Sequence, residues 1–290
     1  PSDRAYCWGE KDQSRLGTRA TDDQPYAATV KDGGTFNPFP KVKRITAGSS
    51  HTCVIKTTGE AFCWGASGYD GDGLGSSGRS SAKRAVEVAG DYSDFIEIDA
   101  ADHHTCAIRS GGQVLCWGDS FSGEVGNGKT QGSSVPTVVS GITDAIAVST
   151  GINNTCVIRA TRTVLCWGLN TSGQVGDGTT ISRNLPVAVS GLSNVNAISV
   201  GEDRACAVVQ GGQVYCWGAQ GNGNPTYGQS TPRLADSLTS VSAMSLYGSH
   251  GCAIKTTSLA YCWGTGSSGQ LGYGSTVSKQ TPQAVSGLTG

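Results

Sequence analysis

A chain of 290 residues with 37% hydrophobic content is long enough to bury a sizeable core, so a folded protein is expected. Its 21 basic residues balance 22 acidic ones, which argues against a nucleic-acid or anionic-membrane binder, because such proteins carry a basic excess or stripe. There is no run of about 18 apolar residues to span a bilayer, and a first residue that is Pro with Met244 as the single methionine points to a processed chain whose signal peptide, if one existed, is already gone.

The 43 glycines recur at set places rather than in a tract, which is the mark of a repeat. A Cys-Trp-Gly triplet starts at Cys7, Cys63, Cys116, Cys166, Cys216 and Cys262, with spacings of 56, 53, 50, 50 and 46 residues. The units so defined run near 1–41, 42–90, 91–141, 142–191, 192–238 and 239–290, and are read together as one domain, 1–290.

In chain order, the first unit opens at what is the third strand of the others, "RAYCWG", and carries the insertion "KDGGTFNPFP" at 31–40, with Phe36 and Phe39. The second begins with "VKRITAG" at 42–48, continues through "HTCVIK", and has two extra residues around "YDGDG" at 69–73, where Tyr69 lies. The third reads "FIEIDAA" at 95–101, then "HTCAIRSGGQVLCWG", then a loop with Phe121 and Gly123 to Gly126, then "VPTVVSG" at 135–141. The fourth repeats this with "DAIAVSTG" at 144–151, Gly173 to Gly176 and "LPVAVSG" at 185–191. The fifth starts with "NVNAISVG" at 194–201 and replaces the Gly-rich loop by "GNGNPTYG" at 221–228, with Tyr227. The sixth starts with "SVSAMSLYG" at 240–248, carries Tyr273 beside Gly272, and finishes with "TPQAVSG" at 281–287.

Short segments of alternating character separated by Gly, Asn, Asp and Ser predict four antiparallel strands per unit and almost no helix. Repeats of this length with four strands predict an all-β fold, a β-propeller with five complete blades and a half blade, six- or seven-bladed when completed. A linear β-solenoid is the alternative, although its coils are normally shorter.

The cysteines have a geometric reading. Cys53/Cys63, Cys106/Cys116, Cys156/Cys166, Cys206/Cys216 and Cys252/Cys262 are each ten positions apart, with turn-formers such as "TTG" or "SGG" between them. Facing residues of a hairpin come within disulfide reach, so one cross-strand disulfide per complete blade is expected, with Cys7 unpaired or inter-chain. The rival is a metal site, because His51, His104 and His250 stand two residues before a cysteine. The same position is Asn154 and Arg204 in the other complete copies and no Cys-x-x-Cys occurs, so no metal is expected. Five disulfides place the chain in an oxidising compartment, secreted or on a cell surface. All six tryptophans lie in the triplets, where each is expected to face opposite its cysteine and fill the space between blades.

The pattern "HTCAI…VLCWG…SGEVGNG…PTVVSG" resembles the repeat of the regulator-of-chromosome-condensation family, with "CWGTGSSGQLGYGS" (262–275) and "CWGLNTSGQVGDGT" (166–179) as close matches, and the likeness covers essentially the whole chain. The resemblance implies a propeller of about fifty residues per blade, usually seven-bladed, and the cysteines resemble secreted or surface members. The family's nuclear members act on a small GTPase and chromatin, partly through a basic tail. This chain shows no such tail.

No Gly-x-Ser-x-Gly, His-Glu-x-x-His or phosphate-loop motif occurs, so no enzyme activity and no cofactor are expected. "YDGDG" is a weak likeness to a calcium loop, and Asn153 and Asn170 fit the glycosylation pattern. Variable loops on a rigid frame carry specificity, which makes Tyr69, Phe121, Tyr227, Tyr273, Phe36 and Phe39 the candidate partner-binding residues. The expected function is a non-enzymatic extracellular or cell-surface recognition or adhesion module for a protein or surface glycan, not for nucleic acid. The alternative is a building block of a surface layer, fibre or filament, in which copies of the chain complete one another's blades.

Overall fold

The computed structural model describes residues 4–9, 16–18, 24–30, 41–66, 81–219, 229–235 and 237–288. Among the described residues there is no α-helix. The chain forms two compact units, 1–148 and 149–290. The first begins with an antiparallel pair, β1 (Tyr6–Gly9) and β2 (Gln24–Thr29). Four-stranded sheets follow in chain order: β3 (Val42–Ala47), β4 (His51–Lys56), β5 (Ala61–Ala66) and β6 (Ser81–Glu87), then β7 (Phe95–Ala100), β8 (His104–Arg109), β9 (Val114–Gly118) and β10 (Ser133–Val138). The unit boundary falls inside the next strand, β11 (Ala145–Thr150), which heads a sheet with β12 (Asn154–Arg159), β13 (Val164–Gly168) and β14 (Arg183–Ala188). The second unit continues with β15 (Val195–Val200), β16 (Arg204–Val209), β17 (Val214–Gly218) and β18 (Gln229–Leu234), and ends with β19 (Val241–Tyr247), β20 (His250–Lys255), β21 (Ala260–Gly264) and β22 (Lys279–Ala284). In each sheet the strand order is the chain order, so every neighbour is reached by a hairpin.

Among the described residues, five sheets of four strands and one of two match the five complete blades and the half blade that the repeat implies. The fourth strands differ from expectation at their ends. They start earlier, at Ser133, Arg183 and Lys279, and stop before the Ser-Gly that closes each repeat. The Ser-Gly leaves the ladder because its serine amide bonds elsewhere: Ser140 N–H donates to Gly126 O, Ser190 to Gly176 and Ser286 to Gly272.

Burial explains the composition of the inner strands. In β8 five residues of six are buried, and in β9 all five, so both faces are covered and the strands read as apolar runs rather than alternating ones. Trp117 shares a buried cluster with Cys53, Cys63, Ile55 and Ala61 of the preceding sheet. Trp263 likewise packs with Cys206, Cys216, Val208 and Val214. The tryptophan of one blade therefore covers the cysteine pair of the blade before it.

The glycine of the triplet is held inside the strand ladder. Gly118 lies in the ladder opposite His104, at a bulge, with φ of 105°. A Cβ there would come within 2.3 Å of His103 O, so both the dihedral and the space exclude a side chain.

Candidate functional site

Each complete blade is built on the hairpin between its second and third strands. In the third sheet Thr105 faces Trp117, Cys106 faces Cys116 and Ala107 faces Leu115, and the turn closes with Gly112 N–H donating to Arg109 O. The same register puts cysteine opposite cysteine in all five complete sheets. The structure joins Cys53–Cys63, Cys106–Cys116, Cys156–Cys166, Cys206–Cys216 and Cys252–Cys262 as disulfides, with Cα separations of 4.0–4.1 Å. Cys7 is free and half-buried, and burial pushes its thiol up to about 11.

Two histidines of the rival metal reading are fully enclosed. His51 Nε2 lies 2.7 Å from Thr105 Oγ1 of the next sheet. Burial lowers its pKa to about 4, helped by His103 and opposed by Asp102; burial also lowers His104, to about 3, helped by His51 and His103. With the neighbouring cysteines spent on disulfides, His51 is a neutral hydrogen-bonding group between two sheets and His104 is a neutral buried one. "YDGDG" and Tyr69, Tyr227, Phe36 and Phe39 lie outside the described residues. Asn170 is fully buried: its Nδ2 donates to Thr179 O and Ile181 O at 3.1 Å, and its Oδ1 accepts Val175 N–H at 2.8 Å, so the fold keeps the Asn170 amide out of solvent, whereas Asn153 is partly exposed.

Among the described residues, the loops after β9, β13 and β21 share one build. After β9, Ser120 Oγ accepts Val125 N–H at 3.2 Å, Gly123 N–H donates to Ser120 O and Gly126 N–H to Gly123 O, making two consecutive tight turns. The carboxylate of Glu124 accepts Ser122 N–H at 2.8 Å from inside. Gln174 and Gln270 do the same for Ser172 and Ser268. On this braced frame Phe121 stands 80% exposed, at the position held by Thr171 and Ser267 in sister loops. Tyr273, by contrast, is occupied with its own loop: its hydroxyl donates to Val277 O and Lys279 lies over its ring.

The half blade supplies a site that pattern reasoning missed. Trp64 and Trp217 are covered by the loop of the preceding repeat; a Cβ on Gly17 would meet Trp64 Nε1 at 2.7 Å, and Trp217 Nε1–H donates to Gln174 O at 2.9 Å. No described residue covers Trp8 in this way, and it is 64% exposed, with Tyr6 and Tyr26 also in solvent. A cleft of about 300 Å3 lies beside them, lined by Tyr6, Cys7, Trp8, Leu16, Ile45, Ala47, Gly48 and Thr52.

The repeat itself decides the relationship. The model described as the Regulator of chromosome condensation (RCC1) repeat matches residues 2–55, 111–158, 163–208 and 259–290, and a second RCC1 repeat model matches 42–71, 95–124, 145–174 and 195–229. The chain belongs to the RCC1 repeat family. Its RCC1 repeats are 27% identical over 136 residues to the E3 ubiquitin-protein ligase HERC2 of Homo sapiens, covering 46% of this chain and 3% of HERC2. They are 24% identical over 130 residues to the Ultraviolet-B receptor UVR8 of Arabidopsis thaliana, covering 44% of this chain and 28% of UVR8. The chain thus matches a small part of each relative. Among solved structures, human WBSCR16 superimposes with a TM-score of 0.86 at 20% identity, covering 97% of this chain and 76% of that one. Yeast RCC1 (Prp20), solved with Kap60 bound to it, gives 0.59 at 16% identity over 98% of this chain and 84% of that one. The ectodomain of the Physcomitrella patens receptor kinase CR4 gives 0.53 at 20% identity over 80% and 53%. The fold class is a β-propeller of four-stranded antiparallel blades.

Proposed function

We propose that this RCC1-repeat chain is a non-enzymatic recognition module, secreted or displayed on a cell surface, whose partner is an extracellular protein or a surface glycan. The observation that carries this reading is Phe121, a phenyl ring left 80% in water at the corner of a loop whose backbone is braced from inside by Ser120 and Glu124. An exposed aromatic on a preorganised loop binds at low entropic cost, because neither backbone nor ring must be ordered on contact. Five disulfides, nine of whose ten cysteines are buried, support the oxidising compartment. Yeast RCC1 shares the fold and was solved with Kap60 bound, and CR4 carries the fold in an ectodomain, so protein contact and exposure outside a cell are both uses to which the fold is put.

Phe121→Ser installs a side chain of the kind that Thr171 and Ser267 supply in sister loops and leaves the bracing intact. Flow cytometry of labelled protein on cells of its source should show at least a tenfold loss of binding, on the order of a hot-spot residue, with an unchanged melting temperature. Equal binding by the variant would remove Phe121 from the interface and leave this reading without its main support.

A further inference from the structure

Neighbouring sheets of the second unit touch through a repeated contact. Val200 N–H donates to Ser149 Oγ at 3.1 Å, and Leu246 N–H to Ser199 Oγ at 2.7 Å. Next to each contact a glycine admits the following sheet's backbone. A Cβ at Gly151 would stand 2.2 Å from Gly201 O, whereas one at Gly201 would stand 3.3 Å from Gly248 O, so the second seam is the looser of the two.

The polar group at this level is where the repeats diverge. In the first unit it is His51, satisfied by the Thr105 hydroxyl of the next sheet. The matching pairs in the second unit are Asn154 with Ala205 and Arg204 with Gly251, so both seams have lost the hydroxyl together with the histidine. The result is a group of orphaned polar atoms. Asn154 is fully buried, and neither its Oδ1 nor its Nδ2 has a partner. Arg204 is 2% exposed, with Nε and Nη2 lacking hydrogen bonds. Asp203 Oδ1 lies 3.4 Å from Nε as an ion contact and is itself buried without a hydrogen bond, although the Asp203 side chain as a whole is 36% exposed. The two buried side chains flank one glycine step: a Gly151 Cβ would lie 2.5 Å from Asn154 Oδ1, and a Gly201 Cβ 3.5 Å from Arg204 Cγ. His250 sits beside the guanidinium, and burial together with the Arg204 charge lowers its pKa, so it adds no second cation at neutral pH.

Buried donors of this kind are satisfied in native proteins by an internal ligand or water, and a desolvated cation further requires counter-charge. We propose that this seam binds a small inorganic anion of halide size, held by Arg204 Nη2 and Asn154 Nδ2. Asp203 meets the guanidinium at Nε alone, so Nη2 and the Asn154 amide remain the donors an anion would occupy, and water at the same place is the alternative that bromide crystals distinguish. Chloride is the halide that a salt-bearing extracellular fluid supplies.

The test is thermal unfolding of the intact protein in sodium chloride or bromide against sodium gluconate at constant ionic strength. The native chain should show a saturable rise in Tm of about 2–4 °C with either halide. Arg204→Gln should abolish the saturable part. Asn154→Asp, which places a carboxylate against Arg204, should raise Tm in gluconate and remove the halide response, and this variant decides the matter if Arg204→Gln does not fold. Crystals grown in bromide should carry an anomalous peak at Arg204. A halide response shared equally by the native chain and Asn154→Asp, or a native chain that does not respond, would overturn the proposal, as would a water-only seam in bromide crystals.

Discussion

Glu124 stands where Gln174 and Gln270 stand in sister loops, makes the same bond to a backbone amide, and is 3% exposed. Burial raises its pKa above 4.5, with Asp119 adding to the rise and backbone amides opposing it. A raised carboxyl stabilises the fold in its protonated form, below the unfolded pKa, and that stability is lost as pH rises through the folded pKa. Glu124→Gln is therefore expected to melt higher than the native chain at pH 7, with the difference closing below pH 4.5; scans at both ends check it. The buried histidines act in the opposite sense. Their pKa values are depressed from 6.5 to about 4 for His51 and about 3 for His104, so their contribution is intact above pH 6.5 and is lost as pH falls through that window. Melting temperature should drop between pH 6.5 and 4, and His51→Asn, copying Asn154, should flatten the drop at the cost of one hydrogen bond, about 1 kcal/mol at pH 7.

At the level of the element, the cross-strand disulfide and the tryptophan act as one device. Cys106–Cys116 closes the β8–β9 hairpin, while the cluster around Trp117 holds the Cys53–Cys63 pair of the sheet before. Removing a bridge costs the entropy of a small loop, about 2–3 kcal/mol. Cys106→Ala/Cys116→Ala should lower unfolding free energy by that amount or more, because two buried sulfurs are lost as well; chemical denaturation measures it. The hairpin was legible because ten-residue spacing, turn-formers and period-two flanks all demand one register. The covering of a disulfide by the next tryptophan was not, since a one-dimensional pattern states which residues face each other within a sheet but not which sheet lies on which. The buried Asn170 was hidden for a related reason: its sequon is a local string, while its burial comes from a loop that folds back eleven residues later onto Ile181.

Across the whole chain, the propeller class followed from the repeat length and four strands per unit, and the five-and-a-half-blade count from the Cys-Trp-Gly triplets. Trp8 differs from its sisters because the loop of the preceding repeat covers Trp64 and Trp217 while no described residue covers Trp8, a contact that a pattern giving every copy the same surroundings does not reveal. Candidate binding residues were the least legible: Phe121 and Tyr273 occupy similar loops, yet one projects into water and the other bonds its own backbone. The proposed role outside the reducing cytosol rests on bridges that cluster in the core, so their redox state in protein taken from its own source is the direct test. Thiol titration under denaturing, non-reducing conditions should find one thiol per chain, at Cys7, against eleven after reduction. Eleven thiols before reduction would contradict the account.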